Sequence, residues 1–211
     1  MQEAVGQVSA HLGGERLYGL VNNAGIGHGS GATLADLLAT NTLGLRRVTE
    51  AFVPLLEPSG GRVVNVTSAA GPNFVAGADA ETRRLLTDPA VTWAALARYL
   101  ESAQASGPDA YGLSKAVANA YTMVAAREHP QLRVNACTPG FIETDLTRSF
   151  TAGKSREEIE SLGMKSPEAG AVSTMFLLFG DPPGNGRYYG SDAERSPLDR
   201  YRAPGSPAHT G

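Results

Sequence analysis

Tyr111 and Lys115 stand one helical turn apart in the stretch DAYGLSKAVANAYTMVAA, so a helix carries the phenol and the ammonium on one face. A free phenol titrates near about 10, and a neighbouring ammonium favours the phenolate, so this spacing predicts a tyrosine pKa drawn down towards neutral. Such a group serves as a general acid or base. The pair by itself is common on helices, and its company gives it weight. Ser68 ends the β-branched run GRVVNVTS, where a parallel strand presents groups to a ligand at its carboxyl edge and a hydroxyl can donate to a substrate oxygen. Asn22-Asn23-Ala24-Gly25 closes an earlier apolar run, and Asn41 follows it within a helical stretch. Asn41, Ser68, Tyr111 and Lys115 are therefore the candidate catalytic residues.

These groups need a scaffold, and the residue pattern supplies one. Residues 1–12 place Ala4, Val5, Val8 and Leu12 at helical spacing and end at Gly13-Gly14. Apolar runs at 17–22, 61–68 and 131–137 read as buried parallel strands, with a short fourth strand around 187–190. Between them lie a long helix at about 33–56, a helix at 109–128 stopped by Pro130, and a helix opened by Ser166-Pro167-Glu168 and running to about 179. Residues 78–104 are helical in composition but broken at Asp88-Pro89, which predicts two short helices. Alternating strands and helices specify an α/β fold, a parallel sheet covered on both faces. One domain is expected over residues 1–190. Residues 191–211, rich in Pro, Gly, Arg and Ser, read as an arm or partly disordered tail.

Composition narrows the function. With 211 residues, 42% of them hydrophobic and 18% charged, the chain can bury a core. A formal net charge of -3 gives no electrostatic reason for a nucleic-acid or anionic-membrane partner. No apolar run reaches the roughly 18 residues of a membrane span, and the first residues carry no basic leader pattern, so a cytoplasmic protein is expected. The single cysteine, Cys137, has no partner for an internal disulfide and no His or Cys cluster for a metal, and reads as a small buried hydrophobe. Asn65-Val66-Thr67 matches a glycosylation acceptor but lies in a strand pattern, and is set aside. No G-x-S-x-G elbow supports a serine hydrolase.

Taken jointly, LYGLVNNAGIG, LLATNTLGLRRVTEAFVPLL, GRVVNVTSAAG, DAYGLSKAVANAYTMVAA and LRVNACTPGFIETDL resemble the short-chain dehydrogenase/reductase family, in its carbonyl-reductase-like branch. SPEAGAVSTMFLL and GRYYGSD are similar to that family's last helix and strand. The resemblance implies a Rossmann-like doubly wound parallel sheet and NAD(P)H-dependent reduction of a ketone or aldehyde to an alcohol, with NADP(H) favoured over NAD(H). The partner would be a small carbonyl or alcohol substrate. Tyr111 would protonate the substrate oxygen and Ser68 would hold it. Lys115 would lower the tyrosine pKa and bind the nicotinamide ribose, and Asn41 would fix a water that resupplies the proton. Asn23, Ala24 and Gly25 would lie against the adenosine side. Pro139, Gly140, Ile142 and Thr144 would border the nicotinamide.

Two departures qualify these implications. The connection between Ser68 and Tyr111 is long, and residues 78–105, with Leu85, Leu86, Trp93, Leu96, Tyr99 and Leu100, resemble the helical insertion of monomeric carbonyl reductases. A monomer is therefore expected over a dimer, with Phe74, Trp93, Tyr99 and Phe141 as apolar substrate walls. The family also opens with a strand and a glycine-rich turn that this sequence does not contain. The expected fold is N-terminally truncated, with strand 17–22 turned from centre to edge, and the full-length form is expected to be active. A non-catalytic scaffold, or an incomplete gene product unable to bind cofactor, is the alternative. A sugar-nucleotide epimerase would share Tyr and Lys but fits the NNAG stretch and the carboxyl end poorly. Gly27-His28-Gly29-Ser30-Gly31-Ala32 formally fits G-x-G-x-x-A, yet the acidic residue that should close the motif, Glu50, falls inside a helix. The string reads as the loop after NNAG, with His28 a solvated histidine.

Overall fold

The computed structural model describes residues 1–27 and 31–211, excepting the side chains of Ser149, Phe150 and Glu160. Four parallel strands run side by side in chain order: β1 (Gly19–Asn22), β2 (Arg62–Val66), β3 (Arg133–Cys137) and β4 (Tyr188–Tyr189). Each falls inside the run expected of it, and β1 stands at the edge of the described sheet. The register sets Asn22 beside Asn65 and Val66 beside Cys137. Parallel strands buried on both faces need continuous apolar runs, which is why these segments show little alternation.

Helix α1 (Gln2–Leu12) precedes β1 and ends on Gly13 in the left-handed conformation. The predicted helix at 33–56 is built from four pieces: α2 (Leu34–Leu38), a π-helical stretch (Ala39–Gly44), α3 (Leu45–Phe52) and a 3-10 turn (Val53–Leu55). Thr33 caps α2 in a capping box with Asp36. The wide π turn contains Asn41, and such bulges frequently mark functional sites. After β2 comes α4 (Ala70–Gly77), a short helix that the sequence pattern does not announce. Helices α5 (Ala80–Thr87) and α6 (Trp93–Ser102), capped by Asp79 and Thr92, flank the Asp88-Pro89 break. Helix α7 (Gly107–Glu128) is the central helix, buried at every position from 112 to 126. Beyond β3 lie α8 (Arg148–Thr151), α9 (Arg156–Ser161), α10 (Pro167–Gly170) and α11 (Val172–Phe179), the last two replacing one predicted helix.

Both faces of the sheet are covered. On one, Val63 and Val134 pack with Val117, Tyr121 and Val124 of α7. On the other, Val64, Val66 and Cys137 meet Leu177 of α11 and Tyr189, so Cys137 is the buried hydrophobe expected. A polar ladder threads the core: Asn22 Nδ2 donates to Asn65 Oδ1 (2.8 Å) and Thr49 Oγ1 (2.9 Å), and Asn65 Nδ2 donates to Thr122 Oγ1 (2.9 Å). These buried amides join β1, β2, α3 and α7, and each bond satisfies a group that would be costly unpaired.

Helices α4 and α7 approach through glycines. A β-carbon on Gly112 would come within 2.9 Å of Phe74 Cβ and 3.0 Å of Ala70 O. Gly112→Ala is expected to lower stability by about 1–3 kcal/mol through overpacking, read as a lower midpoint in urea unfolding with unchanged slope. The segment after β4 returns along it. Ser196 N donates to Tyr188 O (2.8 Å), and Asp192 pairs with Arg202, whose side chain is 6% exposed. Arg202 Nε and Nη1 also donate to Ser196 Oγ (2.9 Å) and Ser206 O (2.7 Å). Residues 191–206 thus pack as an arm around one buried guanidinium.

Candidate active site

Each candidate group sits where an element begins or ends. Ser68 lies two residues past β2, and its Oγ accepts a bond from Ala70 N (3.1 Å) at the start of α4, which fixes its rotamer. Tyr111, in the first turns of α7, is hydrogen-bonded to Ser68. One turn on, Lys115 is 4% exposed, and its Nζ lies 5.8 Å from the centroid of the Tyr111 ring. That Nζ donates to Val66 O at 3.3 Å. Ser68, Tyr111 and Lys115 share the wall of one cavity of about 870 Å³ at the carboxyl edge of the sheet.

Asn41 stands behind that wall. Its Oδ1 accepts from Ile26 N (2.9 Å), and its Nδ2 donates to Ile26 O (2.9 Å) and Ser114 Oγ (3.1 Å). The buried amide therefore spends its side-chain bonds on protein, pinning the loop after β1 to α7. The cofactor candidates converge. Asn23, Ala24 and Gly25 follow β1, Pro139, Gly140, Ile142 and Thr144 follow β3, and all of them line the same cavity as Tyr111 and Lys115.

The electrostatics correct one expectation. Burial pushes the Tyr111 phenol above its ordinary value, with the Ser68 hydrogen bond opposing the rise, so the tyrosine is not drawn down by Lys115. Burial also lowers Lys115 to about 8. Desolvation outweighs the attraction that the spacing implied, and the phenol stays protonated across neutral pH. It is poised as an acid.

Residues present fit a nicotinamide nucleotide. A lysine ammonium has three N–H donors; one is spent on Val66 O, and the others meet no acceptor among the described residues, at a wall where sugar hydroxyls would lie. A β-carbon on Gly25 would stand 3.1 Å from Asn41 Oδ1 and 3.3 Å from Lys115 Nζ, so this position keeps the lysine head and the cavity floor open. Among the described residues no His, Cys, Asp and Glu cluster could hold a metal, and no helix is long and apolar enough to cross a membrane.

Of the apolar walls expected, Phe141 lines the cavity and Phe74, Trp93 and Tyr99 do not. Trp93 meets Tyr121 edge-on at 5.7 Å with the Arg46 guanidinium 4.2 Å from its ring centroid, because α5 and α6 pack against α7 and direct their aromatics into the core. Sequence reasoning missed Leu146, Thr147, Pro167 and Thr174 as cavity residues. The signals near them were the ETDL stretch and SPEAGAVSTMFLL, which, Thr144 apart, inform the fold and not the cavity. In the G-x-G-x-x-A string, Gly27 lines the cavity, while His28, Gly29 and Ser30 lie outside the described residues.

The model of the short chain dehydrogenase family matches residues 1–80. A (+)-neomenthol dehydrogenase of Capsicum annuum is 34% identical over 148 residues, which is 61% of this chain and 46% of that protein. The amino-terminal part of this chain is thus similar to the short-chain dehydrogenase family. Another relative, carbonyl reductase (NADPH) 1 of Bos taurus, is 29% identical over 181 residues, covering 75% of the chain and 61% of the relative. The solved structure of salutaridine reductase from Papaver somniferum superposes with a TM-score of 0.68 at 24% identity, covering 90% of this chain and 77% of that one. That likeness shows the Rossmann-like parallel fold. The chain spans about half the length of the first curated relative it matches.

Proposed function

We propose that this chain reduces a ketone or aldehyde to an alcohol with NAD(P)H, NADP(H) being preferred. One observation carries the reading: a half-buried, protonated Tyr111 is hydrogen-bonded to Ser68 in the wall of the cavity that also gathers every cofactor candidate. The nicotinamide supplies hydride to the carbonyl carbon when bound. Ser68 holds the carbonyl oxygen by hydrogen bonding. Tyr111 gives its proton to that oxygen as negative charge develops there. Lys115, held by Val66 O beneath the phenol, lowers the cost of the phenolate left behind and offers its remaining donors to the ribose. Asn41 keeps the loop after β1 against α7, so the adenosine-side wall and the acid stay in register.

Similarity to an NADPH carbonyl reductase supports the cofactor preference. A monomer is the assembly this reading favours, because α5 and α6 occupy a flank of α7. The net charge of -3 suits small neutral substrates and a cytoplasmic setting rather than a polyanion. Titrating the chain with NADPH while following cofactor fluorescence tests the proposal. Saturable enhancement is expected. No binding up to millimolar cofactor overturns it and leaves the non-catalytic scaffold.

A further inference from the structure

A second recess, of about 240 Å³, adjoins the main cavity and shares Ser68, Gly140 and Phe141 with it. Its far side is made by Ser191 and by Tyr201, Arg202 and Pro204 of the arm. A ligand whose reacting oxygen rests on Ser68 therefore has a short path into a chamber that the catalytic residues leave unused.

The chemistry of that chamber is specific. Ser191 is 7% exposed, and its Oγ accepts a bond from Lys165 Nζ at 3.1 Å. A serine hydroxyl that accepts from an ammonium has its own hydrogen left to give, and a cationic donor strengthens that gift through cooperativity. No acceptor for the hydrogen is found among the described residues. Backbone geometry aims the pair: Lys165 bridges Ile142 in a short parallel contact, and Gly140, at φ +92°, passes so close that a β-carbon there would lie 3.1 Å from Ser191 Cβ. Lys165 stands behind Ser191, and the charged group on the recess wall itself, Arg202, is committed to Asp192, Ser196 and Ser206. Thr138 Oγ1 accepts from Gly140 N (3.1 Å) and Ala69 N (3.3 Å) and is also hydrogen-bonded to the Tyr188 hydroxyl. Ser191, backed by Lys165, thus faces the recess as a buried donor with a free, polarised proton, whereas the Tyr201 beside it is 52% exposed.

We infer that the Ser191–Lys165 pair reads a second oxygen on the substrate, so that the chain prefers carbonyl compounds bearing a further acceptor, a dicarbonyl or a keto acid. The inference rests on the carbonyl-reduction reading for the position of the reacting oxygen, and deepens it by naming the substrate class.

Binding separates the two readings. Dissociation constants for propiophenone, 1-phenylpropane-1,2-dione and benzoylformate are measured by ligand-observed NMR titration, with and without NADPH. The two-oxygen compounds are expected to bind the natural chain more tightly than the monoketone. Ser191→Ala is expected to shrink that preference about tenfold, the scale of one ligand hydrogen bond to a polarised donor. Lys165→Met should follow it and Lys165→Arg should keep most of the preference, which also guards against a misfolded alanine variant. A larger loss for benzoylformate than for the dione in Lys165→Met assigns the recess to a carboxylate, and equal losses assign it to a neutral carbonyl. Absence of any preference in the natural chain, or an unchanged ratio in Ser191→Ala, overturns the inference. Failure of NADPH to bind instead refutes the reductase reading, and the ligand ratios measured without cofactor still decide the recess.

Discussion

Tyr111→Phe is expected to lower carbonyl reduction by about a hundred- to ten-thousandfold while NADPH affinity changes by less than about twofold, because the substitution removes the proton donor and leaves the ring in place. The phenol is half-buried and held above its ordinary pKa, so on this reading it enters the reaction protonated, and Ser68, the hydroxyl bonded to it, is an intrinsically weaker acid. The loss should fall on kcat, since the proton moves only in the transition state. Steady-state kinetics with cofactor titration beside them check this. Turnover within tenfold of the natural chain would remove Tyr111 from the acid role.

Lys115→Met should make the protein inactive and more stable at once. The lysine is 4% exposed with one hydrogen bond to a carbonyl, and its pKa falls from the ordinary 10.5 to about 8. At about 1.4 kcal/mol per unit, keeping that ammonium charged at neutral pH costs on the order of 3 kcal/mol. A methionine of similar length removes the cost, and an increase in Tm of roughly 5–10 °C is expected for a chain of this size. The pH dependence has a definite sign. Above pH about 8 the folded lysine is neutral while the unfolded one still binds a proton, so stability rises between about 8 and 10.5 and is lost as pH falls back through about 8. Lys115→Met should flatten that rise. Activity should run the other way, with kcat/KM for reduction falling above pH about 8 as the cation beneath the phenol disappears. A methionine variant less stable than the natural chain at pH 7 would show that the buried charge is satisfied in a way the Val66 bond does not account for.

The two substitutions separate chemistry from construction. On the proposed reading the Tyr111 hydroxyl serves the reaction and its ring the fold, whereas Lys115 is a buried charge whose cost the site would justify. Sites that strain stability in this way are where a catalytic function leaves its mark on energetics.

Much of this was legible without coordinates. The strands were readable because parallel strands buried on both faces must be apolar along their length, and VVNV and VNAC are such runs broken only by amides that bond within the core. The order NNAG, Asn41, Ser68, Tyr111, Lys115 was readable because parallel strands all deliver their carboxyl ends to one edge, so residues far apart in the chain meet there. The π-helical turn around Asn41 left no trace in the periodicity, since a single wide turn shifts the pattern by one residue in a stretch whose apolar positions are dense on every face.

Other properties belong to the tertiary structure. The spacing of Tyr111 and Lys115 predicted a depressed phenol, but a pKa answers to desolvation as well as to neighbours, and desolvation depends on what the rest of the chain lays over the pair. Trp93 and Tyr99 looked like walls for a ligand, and packing against α7 turned them inward. The arm offered no local signal of its destination. Its proline- and glycine-rich composition says only that it forms no regular element, and the Asp192–Arg202 pair decides where it docks. Local residue types and their spacing determined which elements form and which groups share an edge, because those follow from periodicity and strand direction. Burial, charge state and the second recess were decided only when distant segments closed around the site, because each depends on the solvent that folding excludes.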